Sequence, residues 1–345
     1  MGDAPRRASY SGSGDIAILC EGDLAGYEAS FLKRWSAETL RANPLVDTWP
    51  CGTGQALLGF ADAVGRSVPV VVIEDRDFRT ETEAQEECKE RRKDRERRGV
   101  TVGGWMSWCR NEIENYLLEP SVLCPAMSNV FGCSEGDVRA VLADAVTAQR
   151  TIQAARLVIY RARRTWTHSD PAEALSRDIR LRVQLSDDGR SLVPPDRAAV
   201  RSKLERNAAD WRSSVGSRCD AAAASVLTDF DEKAEEWAGV DTSSKTWLLD
   251  WAGKEILQAV RVLLAARFGL PDKATRQRQP WEWPTKRGEF DRLDRELEHE
   301  VLQAPLIDKL LMHVASNPSH EISVEMGGIA DVLRHARPGG EAAFA

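Results

Sequence analysis

The run Val68–Ile73 is entirely Val and Ile apart from Pro69. A short apolar run with no polar alternation must be covered on both faces, the condition of a strand in a parallel sheet with helices on either side. The chain then drives straight into Glu74, Asp75, Arg76, Asp77 and Arg79. Two earlier runs also read as strands. Ile16–Cys20 ends in Glu21-Gly22, and Leu45–Trp49 ends in the turn Cys51-Gly52-Thr53-Gly54. Between them, Phe31, Leu32 and Trp35 repeat at helical spacing until Asn43-Pro44, and Ala56–Val64 forms a second short helical stretch stopped by Gly65. This β-α-β-α-β order predicts right-handed crossovers and a small parallel α/β sheet flanked by helices. Ligand sites in such sheets lie at the carboxyl ends of strands. Glu21, Asp75 and Asp77 fall at those ends.

The remaining chain reads differently. Residues 80–98 carry charges of both signs at i, i+4 spacing, which predicts a solvated helix. Residues 99–108 return to sheet-like composition. In the following Arg110–Pro120 stretch, Ile113, Tyr116 and Leu117 mark one helical face. On a helix Glu112 and Glu114 diverge by about 200°, so at most one of them would face the strand ends. The second half is largely helical, with candidates near 134–162, 195–215, 220–237, 253–267, 289–313 and 321–336, and with joints at Pro194-Pro195 and Gly239–Lys245. These breaks predict a flexible tail over 1–14, an α/β domain over 15–125, a helical insertion over 126–245 and a helical C-terminal part over 246–345.

Charge and cysteine usage narrow the function classes. The net charge of −7 announces no global nucleic-acid surface, so basic patches must be local. Residues 150–206 hold 13 Arg/Lys against 7 Asp/Glu, with Arg161, Arg163 and Arg164 close together. The segment 273–287, with Arg276 and Arg278, interleaves Trp281 and Trp283 with basic residues, as a loop that stacks on bases and touches phosphate would. A surface loop with two packing tryptophans has the same composition. Seven cysteines without C-x-x-C spacing predict reduced thiols and a cytoplasmic location rather than a zinc site. No apolar run approaches the roughly 18 residues of a membrane span. No histidine precedes residue 168, so metal chemistry in the first part of the chain must rest on carboxylates.

In an extended segment Asp75 and Asp77, at i and i+2, share one face. Two carboxylates so close repel each other, and desolvation adds to the cost. Arg76 and Arg79 could compensate them as a structural charge cluster. A divalent ion does so too, because Mg²⁺ prefers hard oxygen donors and usually takes only one or two protein carboxylates. Glu21 brings a third carboxylate to the same edge. Taken by itself, an Asp-x-Asp pair also fits a nucleotide-sugar transferase holding Mn²⁺ on a diphosphate.

The phrase "ILCEGDLAGYEASFL", followed 54 residues after Glu21 by "VVVIEDRDFR", resembles a TOPRIM domain. The phrases "WCRNEIENYLLEP" and "LLDWAGKEILQAV" resemble the OLD-like TOPRIM nucleases, in particular the nuclease effectors of PARIS-type phage-defence systems. The resemblance implies a nuclease acting on DNA or RNA (tRNA included), with Mg²⁺ or Mn²⁺ held by Glu21, Asp75 and Asp77 and with Glu114 as a further ligand. It implies Lys254 as the residue that neutralises charge on the phosphate. Relatives carry a second carboxylate four residues after the first, where this chain has Ala25; Asp23 and Glu28 are the nearby substitutes. OLD nucleases contain their own ATPase, whereas this sequence has no G-x-x-x-x-G-K-[ST] motif. The resemblance therefore implies a separate ABC-type ATPase partner, and it leaves a homodimer open. The alternative is a catalytically degenerate TOPRIM module that binds nucleic acid or a partner protein.

Overall fold

A computed structural model of the chain describes residues 14–23, 26–41, 44–165, 175–176, 179, 183–186, 191–269 and 302–336. Ala25, the 273–287 segment with Arg276 and Arg278, and the first part of the expected 289–313 helix lie outside the described residues. The chain divides into two compact units, one formed by residues 1–126 with 298–345, the other by residues 127–297.

In the first unit, β1 (Ile16–Cys20), α1 (Tyr27–Leu40), β2 (Val46–Pro50), α2 (Gly54–Val64), β3 (Val70–Glu74), α3 (Glu81–Arg97) and β4 (Val102–Ser107) follow one another. The four strands form an all-parallel sheet in the order β2-β1-β3-β4. β1 and β3 are the central pair, with Ala17 opposite Val70 and Leu19 opposite Val72, and every residue of both is buried. Each Val or Ile so buried contributes roughly 1.5–3 kcal/mol, which is why these two runs were the clearest strands in the sequence. Ala17, Leu19, Val70 and Val72 pack in one core with Leu57, Ala61 and Val64 of α2 and Cys88 of α3. Because the chain moves from β1 to one side and then returns to the other, the strand order reverses between β1 and β3, and a crevice opens at the carboxyl ends of such a pair.

The charged segment 80–98 is a helix, started by a reciprocal cap in which the Thr80 hydroxyl accepts from the Glu83 amide and the Glu83 carboxylate from the Thr80 amide. After β4 come α4 (Glu114–Leu117) and α5 (Pro120–Phe131). The second unit is helical: α6 (Glu135–Thr165), α7 (Arg197–Val215), α8 (Asp220–Glu236), α9 (Thr246–Asp250) and α10 (Gly253–Phe268), with a two-residue strand pair, β5 (Gln184–Leu185) and β6 (Leu192–Val193). Trp211, Trp237, Trp247 and Trp251 are buried in its core. Gln153 on α6 brackets the start of α10, donating to the Ala252 carbonyl at 3.2 Å and accepting its amide at 2.9 Å.

The chain then returns to the first unit as α11 (Gln303–Ser316) and α12 (Glu321–His335). α12 packs on β4 at Gly103 and Gly104, where added Cβ atoms would come within 2.7 Å of Ala336 and 2.8 Å of Val332. Among the described residues no helix is long and apolar enough to cross a membrane. The seven cysteines form no disulfide.

Candidate functional site: an acidic crevice at the sheet edge

Glu21 follows β1 directly. Gly22 (φ +86°) and Gly52 (φ +81°) exchange two backbone hydrogen bonds of 2.9 Å, tying the turn after β1 to the turn after β2. Both need the left-handed freedom of glycine. The tie leaves the Glu21 carboxylate against Gly54, where a Cβ would approach Oε1 to 3.3 Å. Burial, Asp77 and Glu74 push the Glu21 carboxyl up to about 7, with Arg79 and Arg91 pulling the other way.

Glu74 and Asp75 are adjacent carboxylates with opposite fates. Glu74 is fully buried and fully engaged: Arg79 Nη1 donates to it at 2.9 Å, Trp105 Nε1 at 3.2 Å and the Cys88 thiol at 3.5 Å, and Arg91 pairs with its second oxygen. The expected solvated helix 80–98 is thus only partly so, because Arg91 and Cys88 on α3 serve this buried charge. Asp75 has no such company. Its Oδ1 is buried and has no hydrogen-bond partner among the described residues. Burial drives its carboxyl well above the usual range, and Glu28, Glu112, Glu114 and Glu21 push it the same way.

Asp77 departs from the expected geometry. β3 stops at Glu74, and Asp77 and Phe78 both lie in the left-handed region (φ +49° and +50°), so Asp75 and Asp77 do not share the face of an extended strand. Asp77 is exposed, yet it is the strongest charge bearing on Glu21. The turn brings it to the crevice by another route. The expectation for Glu112 and Glu114 also changes. α4 begins only at Glu114, and Glu112 belongs to the turn before it, so the helical divergence does not apply and both carboxylates act on Asp75.

Glu28, in the first turn of α1, completes the group. It is 6 % exposed, accepts the Trp108 indole N–H at 2.7 Å, and accepts the Glu21 amide. Burial raises its carboxyl well above the ordinary value, and Glu114 and Glu21 add to the effect. Sequence spacing placed Glu28 only among substitutes for the absent carboxylate at position 25; its helical phase toward the crevice becomes visible with α1 in place.

The segment carrying Glu112 and Glu114 is anchored from behind. Buried Arg110 donates to the Asn115 carbonyl at 3.0 Å, pairs with Glu119 and reaches Glu321 at 3.3 Å, with its guanidinium 4.5 Å above the Tyr116 ring. Glu325 accepts the Cys109 amide at 2.6 Å and the Tyr116 hydroxyl. The polar members of this stretch, Arg110 and Tyr116, therefore fasten it to α12.

The other sequence-derived candidates belong to the second unit. Lys254 is exposed in the first turn of α10. Arg161, Arg163 and Arg164 are exposed near the end of α6, where Arg163 donates to Ser176 Oγ at 3.0 Å and Arg164 lies 6.0 Å from the Tyr160 ring centroid.

Among the described residues, no three His, Cys, Asp or Glu side chains stand together as a ready-made metal cage. The donor set nonetheless suits a hard divalent cation. It consists of carboxylate oxygens, one of them a buried orphan, and such an ion needs only one or two of them, filling its shell with water and phosphate. The first unit is thus an open all-parallel α/β sheet of order 2-1-3-4. Comparison with protein families, curated proteins and solved structures finds no match to this chain.

Proposed function

We propose that the chain is a Mg²⁺- or Mn²⁺-dependent nuclease of the kind the TOPRIM resemblance implies. The observation that carries this is the carboxylate crowd at the β1/β3 edge with the orphaned Asp75 Oδ1 inside it. A buried acceptor without a donor costs about 1–3 kcal/mol, and neighbouring negative charges deepen the deficit. A fold retains such an arrangement where a cation offsets it. Glu21, Asp75 and Asp77 would hold the ion, with Glu114 and Glu28 at its margin, and the bound ion would supply an activated water and neutralise charge on the phosphodiester. The protein's part is to keep these oxygens fixed and partly dehydrated. Glu74 takes no part in that chemistry, since Arg79 and Arg91 already hold both its oxygens.

The proposal extends to a toxic effector of phage defence working with a separate ABC-type ATPase, supported by the OLD-like phrases. Lys254 as the phosphate-neutralising residue rests on the resemblance. Lys254→Ala tests it: turnover falling by about 10²–10³ at unchanged KM supports the role, and unchanged turnover returns Lys254 to an ordinary first-turn lysine.

The deciding experiment incubates purified protein with labelled DNA and RNA, with and without Mg²⁺ or Mn²⁺, beside Asp75→Asn. Metal-dependent cleavage lost in Asp75→Asn is the expected result. Binding without cleavage would favour a degenerate TOPRIM module, the second reading, for which Ala25 and the lack of a three-residue cage among the described residues speak.

A further inference from the structure

The turn after β3 is held from two sides: Arg79 donates from Nε to the Arg76 carbonyl at 2.7 Å and from Nη2 to the Asp75 carbonyl, and Asn111 takes up the amides. The Asn111 backbone carbonyl accepts the amides of Arg76 at 2.8 Å and Asp77 at 3.3 Å, and its side-chain Oδ1 accepts the amide of Phe78. Three consecutive amides thus converge on one side chain and carbonyl that are 2 % exposed. Two of the three residues, Asp77 and Phe78, are non-glycine residues in the left-handed region. Each such residue costs roughly 1–2 kcal/mol, and consecutive ones persist only where the surroundings over-determine them. Without this turn β3 would run on, and Asp77 would lie about 6.6 Å further along the strand than Asp75. With it, Asp77 leaves the line of β3, and its charge helps to raise the Glu21 carboxyl.

We propose that Asn111 is a positioning residue of the acidic site: by clamping the amides of residues 76–78 it fixes where Asp77 stands relative to Asp75 and so sets the spacing of the oxygens offered to a divalent cation. This rests on the metal reading above. Asn111 carries no charge, and its backbone carbonyl is already occupied by two amides, so its part is geometric.

The test uses the full chain, isotope-labelled, with two readouts: exchange of the Phe78 amide by NMR, and Mn²⁺ affinity by electron paramagnetic resonance of the free ion. Asn111→Leu keeps the bulk and the backbone carbonyl but removes Oδ1. Expected are faster exchange at Phe78, unchanged protection of β1 and β3, and Mn²⁺ affinity weaker by about tenfold, the low end for loss of a group that orients metal ligands. Adding Phe78→Gly, which makes the left-handed conformation free of its side-chain cost, should restore most of the affinity, a rescue that mere loss of packing would not show. Asn111→Asp, with an acceptor in the same place, should keep the Phe78 amide protected even if Asn111→Leu fails to fold. Unchanged Mn²⁺ affinity with an opened Phe78 amide overturns the assignment by itself, as does an exposed Phe78 amide in Asn111→Asp. Wild-type protein that takes up no Mn²⁺ overturns the metal site and this assignment together, and shows it before any variant is made.

Discussion

Glu74 and Asp75 are neighbours in sequence, and their removal should move stability in opposite directions. Glu74→Ala removes the fully buried partner of Arg79 and Arg91 and leaves Arg79 only Glu87, at 2.8 Å, as a counter-charge, so it should destabilise the chain toward the low end of the roughly 3–5 kcal/mol for breaking a buried ion pair. Asp75→Asn removes one charge from a crowd that repels it, so the metal-free protein should melt at the same temperature or higher while cleavage is abolished. Thermal melts of both variants, with cleavage assays, check the pair; an Asp75→Asn protein that unfolds would remove the crowding argument. Glu21 adds a pH signature. Its carboxyl rises from 4.5 to about 7 in the folded chain, so the folded state binds that proton more tightly than the unfolded state. The stabilisation is present in full below the ordinary value and is lost as pH rises through about 7. Asp75 and Glu28, also raised, act with the same sign. His313, held below its ordinary value by burial and by His320, acts with the opposite sign. The comparison is therefore made against Glu21→Gln: wild type should lose melting temperature relative to Glu21→Gln between pH 5 and 8, and Mn²⁺ should return it.

The elements that position the site differ in how far their residues announced them. β1 and β3 were legible because short unbroken apolar runs bounded by turn signals have few other uses, and their neighbouring carboxyl ends followed from β-α-β order. The turn at Asp77–Phe78 was not, since nothing in a non-glycine dipeptide signals a left-handed pair; the cause is Asn111, 33 residues away. Glu112 was read on a helical turn with Glu114, whereas α4 starts only at Glu114, one residue past the first member of the apolar face, Ile113. The division of labour between Glu74 and Asp75 was hidden as well, because it depends on Arg91 reaching in from a helix that composition alone marks as solvated. The grip of α12 on β4 shows only as two glycines in a strand, Gly103 and Gly104. Gly104→Val should therefore destabilise the chain by about 1–3 kcal/mol through overpacking against Val332. A chemical denaturation curve measures it, and a neutral result would mean that α12 does not seat where Gly104 allows it to.

At the scale of the whole molecule, the crowded carboxylates belong to one compact unit, and the exposed basic cluster of α6 and Lys254 to the other. If the second unit contributes affinity through Arg161, Arg163 and Arg164, their joint replacement by Gln should weaken nucleic-acid binding and lower the salt slope by about one phosphate contact per residue lost. Titrations at several salt concentrations read this directly, and an unchanged slope assigns the three arginines to solvent. The first unit is closed by residues that come late: α12 grips Cys109 and Tyr116 through Glu325, and Arg110 through Glu321. During translation at about 5–20 residues per second, the acidic loop leaves the ribosome about 10–40 s before its clamp does. A nascent chain thus lacks the α12 grip on the segment carrying Glu112 and Glu114 until residues 302–336 emerge. Completion of the proposed metal site, in surroundings rich in RNA, is thus postponed by the order of the gene itself.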